Sequence, residues 1–358
     1  MLAFMLSAVL LGSDGLEPSS EESIRASASV TDLHERLRRL SRQKYPPASE
    51  MPAIIDLIRQ SDSEASRLLA LRALTAFQTR ARQHIPTVVE MTDQKHAAVI
   101  RCAAIESLFR CGMESGELRK VLNAAIADNT DPSIRWTGIE LLSEVGTRDA
   151  AAEKAYLTGL HDENADVCKA SLDAVVRCGI VSDQVMQQVR ALVNDVRERQ
   201  TRNGEVLTCV DAIECIEAIG ARDRETVAVL TAGLERSDLR VQIACAMALY
   251  RMSPKLGAES LDNVCRTVIK SGTVEEQDYL VDRAIDASPQ WEQRIEVLCR
   301  LSLSEHDWVR RGVELYFQRD GADTRRFIQS MSKICESAES TEAVKARAKE
   351  VLERLRAE

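Results

Sequence analysis

Glycine, proline and aromatic residues are scarce in this chain. Of its 358 residues only 15 are Gly and 8 are Pro, and Phe, Trp and Tyr together make up 4%. Many-stranded barrels and sandwiches draw on turn residues between strands and on aromatics within them. Nucleotide-binding α/β folds need Gly-rich phosphate loops, and no GxGxxG, P-loop, HExxH or GxSxG pattern occurs. A basic excess is also missing: 47 Lys+Arg stand against 56 Asp+Glu, a net charge of -9. Proteins that track phosphates show the opposite balance, so nucleic acid is not an expected partner. The longest apolar run, residues 1-12, falls short of the roughly 20 residues a membrane-spanning helix needs, so no stable membrane insertion of the mature chain is expected. What remains, 29% charged and 45% hydrophobic, is the composition of an ordered helical protein.

Residues 1-12, MLAFMLSAVLLG, have the length of a signal-peptide core, and Ser13 and Gly15 would suit a cut after Gly15. No Lys or Arg precedes this run; the first is Arg25. Residues 1-15 are therefore read as a candidate signal peptide, residues 16-49 as a flexible segment and first helix, and 50-356 as the folded array. If the signal is real, the mature chain is periplasmic or extracellular; otherwise it is cytoplasmic. The ten Cys form no CxxC pair and sit in helical patterns, as small buried residues do. That usage fits a reducing compartment, so thiols and N-terminus point in opposite directions. His34, His84, His96, His161 and His306 are scattered and build no metal-ligand cluster with the Cys. No metal or other cofactor is expected.

The dominant pattern is an internal repeat. Arg67, Arg101 and Arg135 follow one another at steps of 34; Arg240 lies 105 further on, and Arg310 another 70. The registers between fall near Cys168, Cys209 and Glu275, and Lys345 continues the series. Eleven residues after these positions come Gly112, Gly146, Gly179, Gly220 and Gly321, each expected to end a helix in the left-handed conformation. Each Arg opens one apolar helical run and follows another, with a polar turn such as Asp128-Asn129-Thr130-Asp131-Pro132 between. Helix, turn, helix, turn is a unit that cannot bury its apolar face alone, and stacking closes the core. The step from Gly179 to Gly220 is 41, so extra residues near Asp195-Gly204 are expected to form a longer connection.

Asp131-Pro132-Ser133-Ile134-Arg135, Ser237-Asp238-Leu239-Arg240 and Asp307-Trp308-Val309-Arg310 resemble the opening of HEAT repeats, and the short period resembles the class named for phycobilisome lyases. The resemblance implies an all-α fold: a right-handed α-solenoid of about nine stacked antiparallel helix pairs. It also implies that the recurring Arg belongs to a ladder linking successive turns. The deoxyhypusine hydroxylases of this class hold di-iron through His-Glu pairs in several repeats, whereas here His34-Glu35 is the one such pair and precedes the array.

Counted from the anchor, the +2, +4, +7 and +10 positions are apolar or small, whereas +1, +5 and +8 share another face of the second helix. At +5 stand Glu106, Glu140, Asp173 and Glu214; Trp136 is at +1 and Phe109 at +8. An acidic stripe with aromatic anchors suits a basic segment of another protein. The expected function is a non-enzymatic protein-binding scaffold using the concave face. The alternative is an accessory or catalytic subunit of a lyase-type enzyme with a site there.

Overall fold

In the computed structural model, the described residues are 21-195, 198-201, 204-285, 294-304, 306, 309-313, 316, 321-336 and 342-357. The candidate signal peptide, residues 1-15, lies outside them. The chain falls into two compact units, Met1–Leu141 and Leu142–Glu358.

The first unit contains α1 (Glu21–Ser41), α2 (Met51–Gln60), α3 (Glu64–Thr75), α4 (Ile85–Glu90), α5 (Ala98–Arg110) and α6 (Ser115–Ile126); α7 (Pro132–Val145) starts here and runs into the second unit. Second helices stack on one another: α1 lies against α3 and α3 against α5. First helices pack against their own second helices, α2 on α3 and α4 on α5. The buried residues repeat with the period. Leu37 and Leu40 of α1, Leu71 and Leu74 of α3, and Ile105 and Leu108 of α5 are all buried at the same two register positions. The array thus includes α1, ahead of the boundary at residue 50 expected from sequence.

The second unit holds α8 (Ala150–Leu160), α9 (Ala165–Cys178), α10 (Asp183–Val193), β1 (Glu198–Thr201), β2 (Gly204–Leu207), α11 (Cys209–Ile219), α12 (Arg224–Gly233), α13 (Leu239–Met252), α14 (Pro254–Ser271), α15 (Val274–Ile285) and α16 (Arg294–Leu301). Beyond these come α17 over residues 309-313, then α18 (Gly321–Glu336) and α19 (Glu342–Ala357). The extra residues between Gly179 and Gly220 form an antiparallel hairpin, with Thr201 opposite Gly204 and Glu198 opposite Leu207. Its first strand lies against α9.

Helix ends follow local chemistry. Ser63, Asp149, Asn164, Ser182, Asp223 and Asp238 each cap a helix by accepting a backbone N–H. Gly112, Gly146, Gly179 and Gly220 have φ between 63° and 74°, and Gln78 occupies the same repeat position at φ 52°. Gly321 departs from the pattern in being the first residue of α18.

The anchor side chains have a common task. Four terminal carbonyls of any helix lack intrahelical partners, and the anchor bonds a carbonyl in the last turn of the preceding first helix or just past its end. Arg67 Nε donates to the Ile58 carbonyl at 3.2 Å, Arg101 Nε to Thr92 at 3.1 Å, Arg135 Nη1 to Asp128 at 3.1 Å and Arg310 Nη1 to Ser304 at 2.7 Å. The cation also faces the negative end of that helix dipole. Two anchors differ from the sequence assignment. Arg240 is exposed and reaches only Asp238, its own N-cap, while Gln242 bonds the Arg236 carbonyl. Gln277, and not Glu275, bonds the Gly272 carbonyl at 3.2 Å and the Val268 carbonyl at 3.4 Å. Arg101 also pairs with buried Asp128 of the next turn, the ladder contact expected of this repeat class.

One helix breaks the amphipathic rule. In α13 every residue from Ile243 to Tyr250 is buried, so no face is left to water. Small side chains there admit close neighbours: a Cβ on Gly257 of α14 would stand 2.2 Å from the Tyr250 nitrogen.

Candidate functional site

In the first unit Glu106 and Phe109 lie on α5, and Trp136 and Glu140 on α7. All four are partly exposed, as the +1, +5 and +8 positions require. The Arg110 guanidinium stacks over the Phe109 ring at 5.2 Å, a cation–π contact. Arg72 of α3 stands at +5, one repeat before Glu106. Burial lowers its guanidinium pKa, and the Glu106 charge counteracts the shift.

In the second unit Asp173 is exposed on α9 and Glu214 half-buried on α11. They do not make a bare acidic row. Lys169, at +1 on α9, pairs with Asp211 of α11 and also feels the charges of Asp173 and Glu214, which raise its pKa although burial opposes them. Burial pushes the Asp211 carboxyl up despite the Lys169 ammonium beside it. Glu214 accepts a hydrogen bond of 2.9 Å from the Tyr279 hydroxyl of α15 and lies 3.6 Å from Arg283. Glu217, one turn on and only 4% exposed at its side chain, pairs with both Arg283 of α15 and Arg251 of α13. Burial, reinforced by Glu214, raises the Tyr279 hydroxyl pKa far above its ordinary value.

The structure therefore brings Asp173, Asp211 and Glu214 around one lysine and closes Glu214 and Glu217 under α15. Sequence reasoning missed Lys169, Asp211, Glu217, Arg251, Tyr279 and Arg283. Tyr279 and Arg283 are four apart on one face of α15. Counted from Gln277 they fall at +2 and +6, outside the +1, +5 and +8 positions, so the register did not single them out.

Two open clefts lie on the first-helix side. One, of about 440 Å³, is lined by Met51, Ile55, Asp56, Arg80 and His84. The other, of about 670 Å³, lies along α10 and α12 around Arg190 and Glu225, which pair at 2.8 Å. Among the described residues no group of three or more His, Cys, Asp or Glu is placed to hold a metal ion, and no helix is long and apolar enough to cross a membrane.

The fold is an all-α helical-repeat solenoid with one hairpin inserted. Kap95p, in its complex with RanGDP, is similar over 93% of this chain and 48% of its own, at a TM-score of 0.50 and 11% identity. The YibA protein of E. coli is similar over 86% of this chain and 100% of its own, at 0.48 and 12%. Importin beta is similar over 92% of this chain and 48% of its own, at 0.46 and 13%. The chain thus spans about half the length of Kap95p. At such identities the likeness concerns the fold. The sequence matches no protein-family model and no curated protein.

Proposed function

We propose that the chain is a protein-binding scaffold that takes a partner segment on the second-helix face of its first unit. The observation carrying this reading is that Glu106 and Glu140 share one repeat position on α5 and α7, with Phe109 and Trp136 partly exposed on the same two helices. Aromatic anchors supply most of the binding energy in such contacts, and charge sets approach and register. In fold the chain is similar to Kap95p, which binds RanGDP, and a stacked array offers the extended surface that protein partners need. Glu106 and Glu140 favour a basic residue on the partner segment beside the aromatics. In the second unit Asp173 is the exposed acidic position, while Glu214 serves the contact with α15 and is left out of the proposed surface. We also place the repeats in the short-period HEAT-like class, on their 34-residue step.

The test is affinity capture with the full chain from its native source, followed by binding measurements on the partner recovered. Trp136→Ala should weaken binding by about 2 kcal/mol, the scale of an aromatic hot spot. Glu106→Gln with Glu140→Gln should weaken it further and flatten its salt dependence. Unchanged affinity in the triple variant refutes the assignment of this face.

A further inference from the structure

The +5 row of the first unit extends one helix further than the four acidic positions suggest. Leu33 stands 34 residues before Arg67, and Leu37 and Leu40 are buried as their equivalents in α3 are. The +5 residue of α1 is then Arg38, which is exposed. Along α1, α3, α5 and α7 the row reads Arg38, Arg72, Glu106, Glu140: two positive positions, then two negative ones. Glu35 sits at +2, the register of buried Leu69 and Ala103, away from the row. Arg72 is half-buried, so its guanidinium contributes positive charge at the middle of the face.

Such a row does not suit a uniformly basic segment. A Lys carried past Glu106 would meet Arg72 and Arg38, and juxtaposed like charges suppress binding. Packed helices lie about 10 Å apart, so the four positions of the row, three steps, span on the order of 30 Å. An extended segment in the polyproline II conformation rises about 3.1 Å per residue with three residues per turn, so every third residue faces the same side and meets the next helix. Adjacent sites are about one Debye length apart at physiological salt, so each charge is read largely by its own position in the row.

We propose that this face binds an extended partner segment with two charge blocks, its acidic residues over Arg38 and Arg72 and its basic residues over Glu106 and Glu140. An apolar residue of the segment meets Trp136 and Phe109 at the basic end. The charge order fixes the direction in which the segment lies. This inference rests on the reading of the face as a protein-binding surface and adds the partner's chemistry.

The test uses the full chain and three fluorescein-labelled synthetic decapeptides on a Ser/Ala background with one Leu. Each carries charges at every third residue: Glu-Glu-Lys-Lys, Glu-Lys-Glu-Lys, or four Lys. Fluorescence anisotropy should show the block peptide binding about tenfold more tightly than either other, the effect of one well-placed charge contact. Arg38→Glu with Arg72→Glu should transfer the preference to the four-Lys peptide, and Arg38→Glu alone, at an exposed site, should move it part of the way. If the four-Lys peptide binds best to the unaltered chain and only Trp136→Ala weakens it, the two-block proposal falls and the binding face stands. If none of the three peptides binds, both fall.

Discussion

Gln78 is the residue that the repeat would replace. Its φ of 52° lies in the left-handed region, where the equivalent positions carry glycine. A side chain there costs about 1–2 kcal/mol. Gln78→Gly should therefore raise stability by on the order of 1 kcal/mol in urea unfolding, with the gain reduced by the greater freedom of glycine in the unfolded chain. A loss of stability would show that the Gln78 side chain contributes more than its backbone costs. The Arg101–Asp128 pair behaves in the opposite way. Both side chains are buried, at 9% and 2% exposure. Burial by itself would raise the Asp128 carboxyl, but the Thr130 hydroxyl, Arg101, and the Thr130 and Asp131 amides outweigh it and hold the group down at about 2. A carboxylate depressed in the fold contributes stability above its unfolded pKa and loses it as pH falls through the folded value. Stability should thus drop between about pH 4 and pH 2, by on the order of 2 kcal/mol from this group, and Asp128→Asn should flatten that part of the profile. Arg101→Ala strands a buried carboxylate and should cost about 3–5 kcal/mol.

Thiol chemistry follows from burial in the same way. All ten cysteines are free, and burial pushes Cys111 up to about 11 and Cys215, Cys245 and Cys265 up to about 12. Thiolates are the reactive form, so these four should resist iodoacetamide at pH 8 in the native protein. Half-buried Cys102 and Cys335 should be labelled first, as peptide mass mapping would show.

At the scale of elements, most helices were legible and three details were not. The 34-residue step and the terminal glycines located α5, α7, α9 and α11, because a left-handed cap and an anchor at fixed spacing are visible in residue names alone. The anchor was read as arginine, whereas its task is to donate a hydrogen bond to the end of a preceding helix. Glutamine does this too, so Gln242 and Gln277 were passed over for Arg240 and Glu275. The hairpin was read only as added length. Asn203-Gly204 followed by Val206-Leu207 is a turn-and-strand signature that was present and unused. The Glu214 contact could not be read from its own helix, since its partners lie 65 residues or more away. Tyr279→Phe should cost about 1–2 kcal/mol by leaving Glu214 without its hydroxyl donor. Arg283→Ala should cost more, because Glu217 is almost wholly buried. Equal costs would place the stabilisation in the packing of α15 and not in its polar contacts.

For the whole molecule, sequence periodicity revealed the repeat architecture, but it placed the start of the array one helix too late. The early residues of α1 are polar and its mean hydropathy is low, so its apolar stripe is narrow; Leu37 and Leu40 supply the contact with α3. Leu37→Ala or Leu40→Ala should each destabilise the first unit by about 2–5 kcal/mol if α1 is integral to it, as chemical denaturation would show. A negligible effect would make α1 an appendage.

In a stack whose units touch only their neighbours, opening can begin at any interface. The bonds from α15 to Glu214 and Glu217 pass over α13 and join helices that are not adjacent in the stack. While those contacts hold, the enclosed stretch of α13 from Ile243 to Tyr250 cannot be uncovered by peeling away one neighbour alone. Its amide protons should therefore exchange with deuterium more slowly than those of α9 or α10, and together with those of α11 and α15, as one cooperative block. Arg283→Ala should divide that block, speeding exchange in α15 before α11 responds.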